Sequence, residues 1–386
     1  MPSDLDLFAI TAPGLEPLAA RELQQLGMDA KAETGGVSWS GDISSAALAN
    51  LHLRTASRVV ARVARFRARS FIELERHIRR IDWSPFLTAG TAVQLRVTSK
   101  KSRLYHEKAL AERFTRELHA ALGVQVESAA AEDEDGDATP HLLPGQLLII
   151  RFHRDECVVS ADSSGELLHR RGYRQAIAKA PLRETLAAAM LHAAGWRPEE
   201  PLLDPFCGAG TIPVEAALIA RRIPPGLARA ERRARDYAFE RWPIHEPAAL
   251  DRLVEHARAE ISDRAPAPIR GSDRDEGAIA AALANAERAG VDGDMELDVR
   301  AVSAVEPSPH PGWLVTNPPY GVRVGDTRPL RDLYAALGNL VRERLPGWRL
   351  AMLSAEDGLE RQTKLELVEV LRTKNGGIPV RVMAGG

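Results

Sequence analysis

Cysteine is almost missing from this chain of 386 residues, which holds only Cys157 and Cys207. Two isolated thiols exclude a disulfide framework and a cysteine-based metal site. The eleven histidines show no ligand spacing such as His-Glu-x-x-His, so no metal is expected. No uninterrupted apolar stretch approaches the roughly 18 to 20 residues that span a bilayer, and the N-terminus lacks the basic-then-apolar order of a signal peptide. No membrane association is expected, and a cytoplasmic location is. Net charge is also nearly absent, at −2. On its own that balance does not point to nucleic acid.

The charge that is present is unevenly placed. From Arg54 to His119, sixteen Lys or Arg stand against six Asp or Glu, whereas 251–306 is mostly acidic. A local basic face can hold phosphates although the chain as a whole is near neutral. An apolar fraction of 45% is ample for packed cores, and the length suggests two or three domains.

Small alternating elements fill the first 56 residues: a strand over 7–10, a helix over 15–26, a strand over 37–39 and a helix over 43–53. Period-two alternation over 57–66 predicts a longer strand. A helix over 71–81, a strand over 93–98, a helix over 106–122 and strands over 147–152 and 157–161 complete an α+β region. The run Glu132-Asp133-Glu134-Asp135-Gly136-Asp137 has no apolar content and reads as a solvated loop, not a metal site. Residues 165–180 form a basic linker in which Arg170, Arg171 and Arg174 are candidates for touching RNA.

From 181 onward strand and helix alternate. A helix over 182–194, a strand over 201–203, a glycine loop and a helix over 213–221 open a doubly wound sheet. At its far end a strand over 350–353 precedes a hairpin of 365–371 and 379–383 around Asn375-Gly376-Gly377.

Two runs carry the chemistry: Asp204-Pro205-Phe206-Cys207-Gly208-Ala209-Gly210-Thr211 and, about a hundred residues later, Thr316-Asn317-Pro318-Pro319-Tyr320-Gly321. In the first, Gly208 and Gly210 let backbone amides approach a ligand. Neither Gly-x-Gly-x-x-Gly nor a terminal Gly-Lys-Ser/Thr is present, and the next strand-end carboxylate, Asp273, follows after some sixty residues, not the roughly twenty of a nicotinamide fingerprint. A dehydrogenase is thereby disfavoured. Asp204 suits a ligand carrying an ammonium and a sulfonium, and Asp273 can accept two ribose hydroxyls. In the second run, two prolines cannot continue a strand and force an extended turn. That turn aims the Asn317 amide oxygen and the Pro318 carbonyl outward at a strand C-terminus, where open α/β sheets bind ligands. Taken singly, Asp204 reads equally as a helix N-cap, Asp273 as a turn former, Cys207 as a small buried residue and Asn-Pro as a turn opener.

Together the two runs resemble the class I S-adenosylmethionine-dependent methyltransferases that alkylate exocyclic base nitrogens. Ala180-Pro181-Leu182-Arg183-Glu184, Gly271-Ser272-Asp273 with Asn285-Ala286, and Thr11-Ala12-Pro13-Gly14-Leu15-Glu16 through Lys100-Lys101-Ser102-Arg103-Leu104-Tyr105 extend the likeness to the bacterial ribosomal RNA guanine-N2 methyltransferases with a THUMP domain. The resemblance implies an α/β fold in which a Rossmann-like class I methyltransferase domain, with a mostly parallel sheet and an antiparallel terminal hairpin, follows an α+β ferredoxin-like and THUMP region. The corresponding divisions are 1–56 ferredoxin-like, 57–164 THUMP, 165–180 linker and 181–386 methyltransferase.

The same resemblance implies S-adenosylmethionine as cofactor, held by Asp204, Phe206, Gly208, Gly210, Thr211, Asp273 and Ser303. It makes Asn317, Pro318, Pro319 and Tyr320 the catalytic group. Ser303 departs from the family pattern, which ends the third strand, here expected around 297–302, in an Asp for the adenine amino group. A hydroxyl accepts more weakly than a carboxylate, and Glu306 is the alternative. Lys100, Lys101, Arg103, Tyr105 and Lys108 are the expected RNA contacts, with a solvated basic face as the plainer reading. The expected substrate is 23S ribosomal RNA, with transfer RNA second, adenine N6 in DNA third and an inactive RNA-binding assembly factor the remaining alternative. A second methyltransferase domain, carried by related enzymes, is not expected.

Overall fold

Chain segments with alternating burial build two sheets joined by the basic linker. The computed structural model describes residues 4–128, 145–174, 182–228, 235–306, 310–320, 328–355 and 358–386. The acidic run at 132–137 lies outside them.

The N-terminal elements are β1 (Leu5–Thr11), α1 (Glu16–Gln25), β2 (Lys31–Glu33), β3 (Gly36–Gly41), α2 (Ile43–His52), β4 (Ala56–Arg67), α3 (Phe71–Ile78), β5 (Ala92–Lys100), α4 (Glu107–Leu122), β6 (Gln125–Ser128), β7 (Gln146–His153) and β8 (Glu156–Asp162). Local chemistry sets the helix ends. The Asp42 carboxylate accepts from the Ser45 amide at 2.8 Å to start α2, and Gly123, at φ 64°, terminates α4 in the left-handed conformation that glycine adopts without cost. The strands form a single eight-stranded sheet, ordered β2-β3-β1-β4-β8-β7-β5-β6. β4 pairs antiparallel with β1 on one side and β8 on the other, so 1–56 and 57–164 share one sheet.

The second half contains α5 (Glu184–Ala194), β9 (Leu202–Asp204), α6 (Thr211–Ala220), α7 (Pro247–Ala259), β10 (Ile269–Asp273), α8 (Glu276–Ala289), β11 (Met295–Val299), β12 (Trp313–Thr316), α9 (Arg328–Asn339), β13 (Arg349–Ser354), β14 (Leu367–Asn375) and β15 (Ile378–Gly385). Its seven strands are ordered β11-β10-β9-β12-β13-β15-β14. The strands from β11 to β13 are parallel, and β15 and β14 are antiparallel, as expected. Strand order reverses between β9 and β12, which opens a crevice at their C-terminal ends. Both strands are buried on every residue, as apolar central strands of a covered parallel sheet must be.

One strand ends earlier than its sequence predicts. β11 stops at Val299, not near 302, because its partner β10 ends at Asp273, directly opposite Val299. Beyond that point the chain has no ladder to follow and turns into a short 3-10 segment over Val302–Ala304.

The halves meet along a polar seam. The Arg171 Nε donates to the Glu215 Oε1 at 2.7 Å, the Tyr173 hydroxyl donates to the same oxygen at 2.9 Å, and Arg171 Nη2 reaches the Arg54 carbonyl at 2.8 Å. Arg54 in turn donates to the Ile223 carbonyl at 2.6 Å. A second contact lies at Gly14, where a Cβ would stand 2.0 Å from the Arg372 carbonyl oxygen of β14, so only glycine lets the N-terminal loop pack there.

Candidate active site

The glycine loop leaves β9 at Asp204 and is pinned at both ends. Cys207 N donates to the Ser272 carbonyl at 3.0 Å, Gly208 N to Asp273 Oδ2 at 3.1 Å, and Gly210 N closes a turn onto the Cys207 carbonyl at 2.8 Å. Gly208 and Gly210 have φ of 51° and 81°, in the left-handed region that disfavours side chains. A Cβ on Gly208 would meet nothing within 4 Å, so this part of the loop borders open space. A Cβ on Gly210 would stand 2.9 Å from the Ala282 Cβ, which is how closely α8 packs against the loop. Asp273 also accepts from the Asp275 amide at 3.0 Å. A carboxylate has about four acceptor directions, so capacity remains for hydroxyls. Cys207 is buried and its thiol is pushed up by burial, consistent with packing, not reactivity.

Asp204 is wholly buried at the reversal point. Its Oδ1 accepts from the Thr316 hydroxyl at 2.6 Å and from the Phe206 amide at 3.1 Å. Loss of water pushes its carboxyl up to about 7, with the Thr316 and Phe206 donors opposing and Asp273 adding to the rise. This bond ties the end of the cofactor strand to the residue just before Asn317.

Asn317 follows β12, and its Oδ1, expected to aim outward, is instead buried, with no hydrogen-bond partner among the described residues. Pro318 is buried and Pro319 exposed. Tyr320 is mostly buried, which raises its phenol, and its oxygen accepts from Asn375 Nδ2 at 2.8 Å. Gly321 lies outside the described residues. The residues do fit a sulfonium-and-ammonium ligand beside an amine-bearing base. The loop borders free space at Gly208, Asp273 stands against it with Asp204 buried beneath, and the nearest strand end holds a buried acceptor with no partner among the described residues.

Phe206 and Thr211 lie with the loop, Thr211 opening α6. Ser303 does not join it. That residue is exposed, four positions past the end of β11, and its backbone carbonyl accepts from Arg344 at 2.7 Å. Glu306 is paired with Arg300 at 3.2 Å.

Lys100, Lys101, Arg103, Tyr105 and Lys108 are exposed along the end of β5, the following loop and the first turn of α4. Tyr105 is 63% accessible. Among the described residues none of these four cations is ion-paired, and the loop is braced by the Arg103 amide donating to Asp155 at 2.8 Å. The linker arginines are different, and the expected RNA role of Arg171 is corrected here. Arg171 has 0% accessibility and its charge is spent on Glu215. Arg174 is 13% accessible, 3.5 Å from Glu184, and donates to the Leu182 carbonyl. Arg170 is 25% accessible and 3.9 Å from Glu166. The charges of Arg171 and Arg174 serve contacts with the second half.

Three contributors carried no role in the sequence: the Thr316 hydroxyl on Asp204, the Asn375 amide on Tyr320, and the Asn285 amide on the Ala209 carbonyl at 2.9 Å. A buried asparagine on the face of a helix following Asp273 was the one available signal.

Comparison with known proteins places this geometry among relatives. A family model described as the RMKL-like methyltransferase domain matches residues 171–383, and one described as the RlmL ferredoxin-like domain matches residues 6–60. A Synechocystis protein provisionally named RNA methyltransferase slr0064 is 34% identical over 382 residues, covering 97% of this chain and 95% of its own. The ribosomal RNA large subunit methyltransferase K/L of Syntrophotalea carbinolica is 34% identical over 399 residues, 99% of this chain. The chain spans 54% of that relative's length. The crystal structure of SMU.472, provisionally named a methyltransferase and complexed with S-adenosylhomocysteine, superposes with a TM-score of 0.87 at 28% identity, covering 100% of this chain and 98% of its own.

Proposed function

The chain belongs to the RMKL-like methyltransferase family and uses S-adenosylmethionine, and from that premise we propose that it methylates the exocyclic N2 amine of a guanine in large-subunit ribosomal RNA. The observation that carries the reading is the buried Oδ1 of Asn317 at the strand reversal, without a partner among the described residues. A buried acceptor left unpaired costs about 1–3 kcal/mol. An incoming amine hydrogen satisfies it.

The amine lone pair is delocalised into the base. Asn317 Oδ1 and the Pro318 carbonyl hold its two hydrogens, tipping the nitrogen out of plane with its lone pair directed at the methyl group. The cofactor supplies a methyl on a positive sulfur. The protein supplies alignment and fixed dipoles, and the proton leaves to solvent once the new bond makes it acidic. With the Tyr320 hydroxyl held by Asn375, the ring is the part that would stack on the base. A base stacked in a helix is out of reach, so the target is extruded or single-stranded. Residues 57–164 form the THUMP-type RNA-binding unit in this reading, with Lys100, Lys101, Arg103, Tyr105 and Lys108 on its RNA face. The K/L relative supports ribosomal RNA as the substrate class.

Mapping methylated nucleosides in cells with and without the protein tests this directly. One N2-methylguanine of large-subunit RNA disappears with it. A loss confined to transfer RNA, or of N6-methyladenine in DNA, rejects the substrate.

In the same reading Asp204 and the cationic ligand are coupled to protons. Nearby positive charge favours the carboxylate, and the carboxyl of the ligand-free protein sits up at about 7, so binding expels a proton. Cofactor affinity therefore rises with pH from 6 to 8 and then levels. The fold responds in the opposite sense. A raised folded pKa gives stability that is full below about 4 and is lost as pH rises through about 7. Titration calorimetry in buffers of different ionisation heat reads the released proton, and pH-independent affinity removes Asp204 from the site.

Replacing Lys100, Lys101 and Arg103 together by alanine weakens RNA binding. It also reduces the slope of log affinity against log salt by about 2 to 3, at ~0.7–0.9 per phosphate contact. Filter binding across a salt series measures it, and an unchanged slope assigns those cations to solvent.

A further inference from the structure

We propose that Asn285 is a positioning residue for the cofactor: its side-chain amide, oriented by Arg288, fixes the Ala209 carbonyl and so holds Gly208 and Gly210 in the shape that receives S-adenosylmethionine. This inference rests on use of that cofactor and is independent of which base is methylated.

The loop between Asp204 and Thr211 is built from a turn, and turns are only as rigid as the bonds that close them. Its outer amides are held by Ser272 and Asp273, both at the end of β10. Its middle carbonyl, that of Ala209, points the other way, toward α8. Asn285 meets it there with Nδ2 at 2.9 Å and is itself fully buried. One turn earlier on the same helix, Ala282 makes the close contact with Gly210. Residues three apart share a helix face, so a single stripe of α8 forms the back wall of the loop.

Asparagine is a weak helix former, and its amide competes for backbone groups. Packing alone is served better at this position by leucine or alanine. What an apolar side chain cannot do is donate to Ala209, whose carbonyl lies in a dry seam.

An amide can also flip, which would present oxygen to oxygen. Arg288 prevents this: its guanidinium donates to Asn285 Oδ1, fixing Nδ2 as the group that faces Ala209. The same guanidinium donates through Nε to the Tyr173 carbonyl at 2.6 Å. Tyr173 in turn binds Glu215 on α6, the helix that the loop opens into. The linker from the N-terminal half thus braces the wall behind the loop through Arg288 and Asn285, and the helix in front of it through Glu215.

The test is the affinity of the intact protein for S-adenosylhomocysteine, measured by calorimetry with Asn285→Asp and Asn285→Ala. Aspartate is isosteric and keeps the acceptor for Arg288 but has no donor for Ala209. Both variants are expected to raise Kd about tenfold, the scale of one buried hydrogen bond, while turnover at saturating cofactor is preserved. An asparagine that only fills space would lower the melting temperature and leave the Kd of the folded protein unchanged, and that result overturns the proposal. Should both Asn285 variants fail to fold, Arg288→Gln decides, because it spares the asparagine and removes its orientation. A Kd raised about threefold, a partial loss of the same bond, supports the role, and an unchanged Kd overturns it.

Discussion

Replacing Asn317 by alanine is expected to lower turnover about a hundredfold or more, the scale seen when one preorganised polar group is removed from an active site. Cofactor affinity changes little, because the loop, Asp204 and Asp273 are held by other bonds. The diagnostic part is stability. The Asn317 oxygen is buried with no hydrogen-bond partner among the described residues, so its removal takes away a desolvated acceptor and deletes no hydrogen bond seen through that atom. The variant should therefore melt at the parent temperature or slightly above while being nearly inactive. Opposite signs in the two readouts are the mark of a group retained for chemistry. Single-turnover rates with RNA, set beside thermal melts, measure both. Parent-like turnover would refute the assignment.

The second large effect falls on the fold. Arg171 and Glu215 are both at 0% accessibility, 2.7 Å apart, and the second Glu215 oxygen has no hydrogen-bond partner among the described residues. Arg171→Met keeps much of the side-chain volume and leaves the glutamate with the Tyr173 hydroxyl and the more distant charge of Arg54. Breaking one side of a buried ion pair costs about 3–5 kcal/mol, a large share of a typical 5–15 kcal/mol. A urea midpoint well below that of the parent is expected, with RNA affinity of the folded protein unchanged. The double variant Arg171→Met with Glu215→Leu should recover most of the loss, since an apolar pair needs no partner in a dry seam. An unchanged midpoint combined with weaker RNA binding would return Arg171 to the nucleic-acid surface.

These two cases also show what could be read from the chain directly. The place of Asn317 at the end of a strand was legible, because prolines on one side and a buried strand on the other leave few conformations, but its side-chain direction was not: the oxygen expected to aim outward is buried. The glycine loop was legible for the same reason, and α5, α6 and the terminal hairpin lie within a few residues of their sequence boundaries. Arg171 was misread because its charge is local but its partner is not. Glu215 lies 44 residues away on a helix whose burial is set by packing between two halves. Thr316 and Asp204 are 112 residues apart, and only the sheet order makes them neighbours. The end of β11 is decided by where β10 stops, which the pattern of β11 itself does not contain. Non-local pairings of this kind leave Ser303 in a short exposed segment past the strand end.

The tip of the β14–β15 hairpin has a consequence for biosynthesis. Asn375 anchors the Tyr320 ring, and β15 is inserted between β13 and β14, so β14 joins the sheet only through a strand made after it. A translating ribosome must carry the nascent polypeptide past Gly385 before the aromatic wall of the pocket is set.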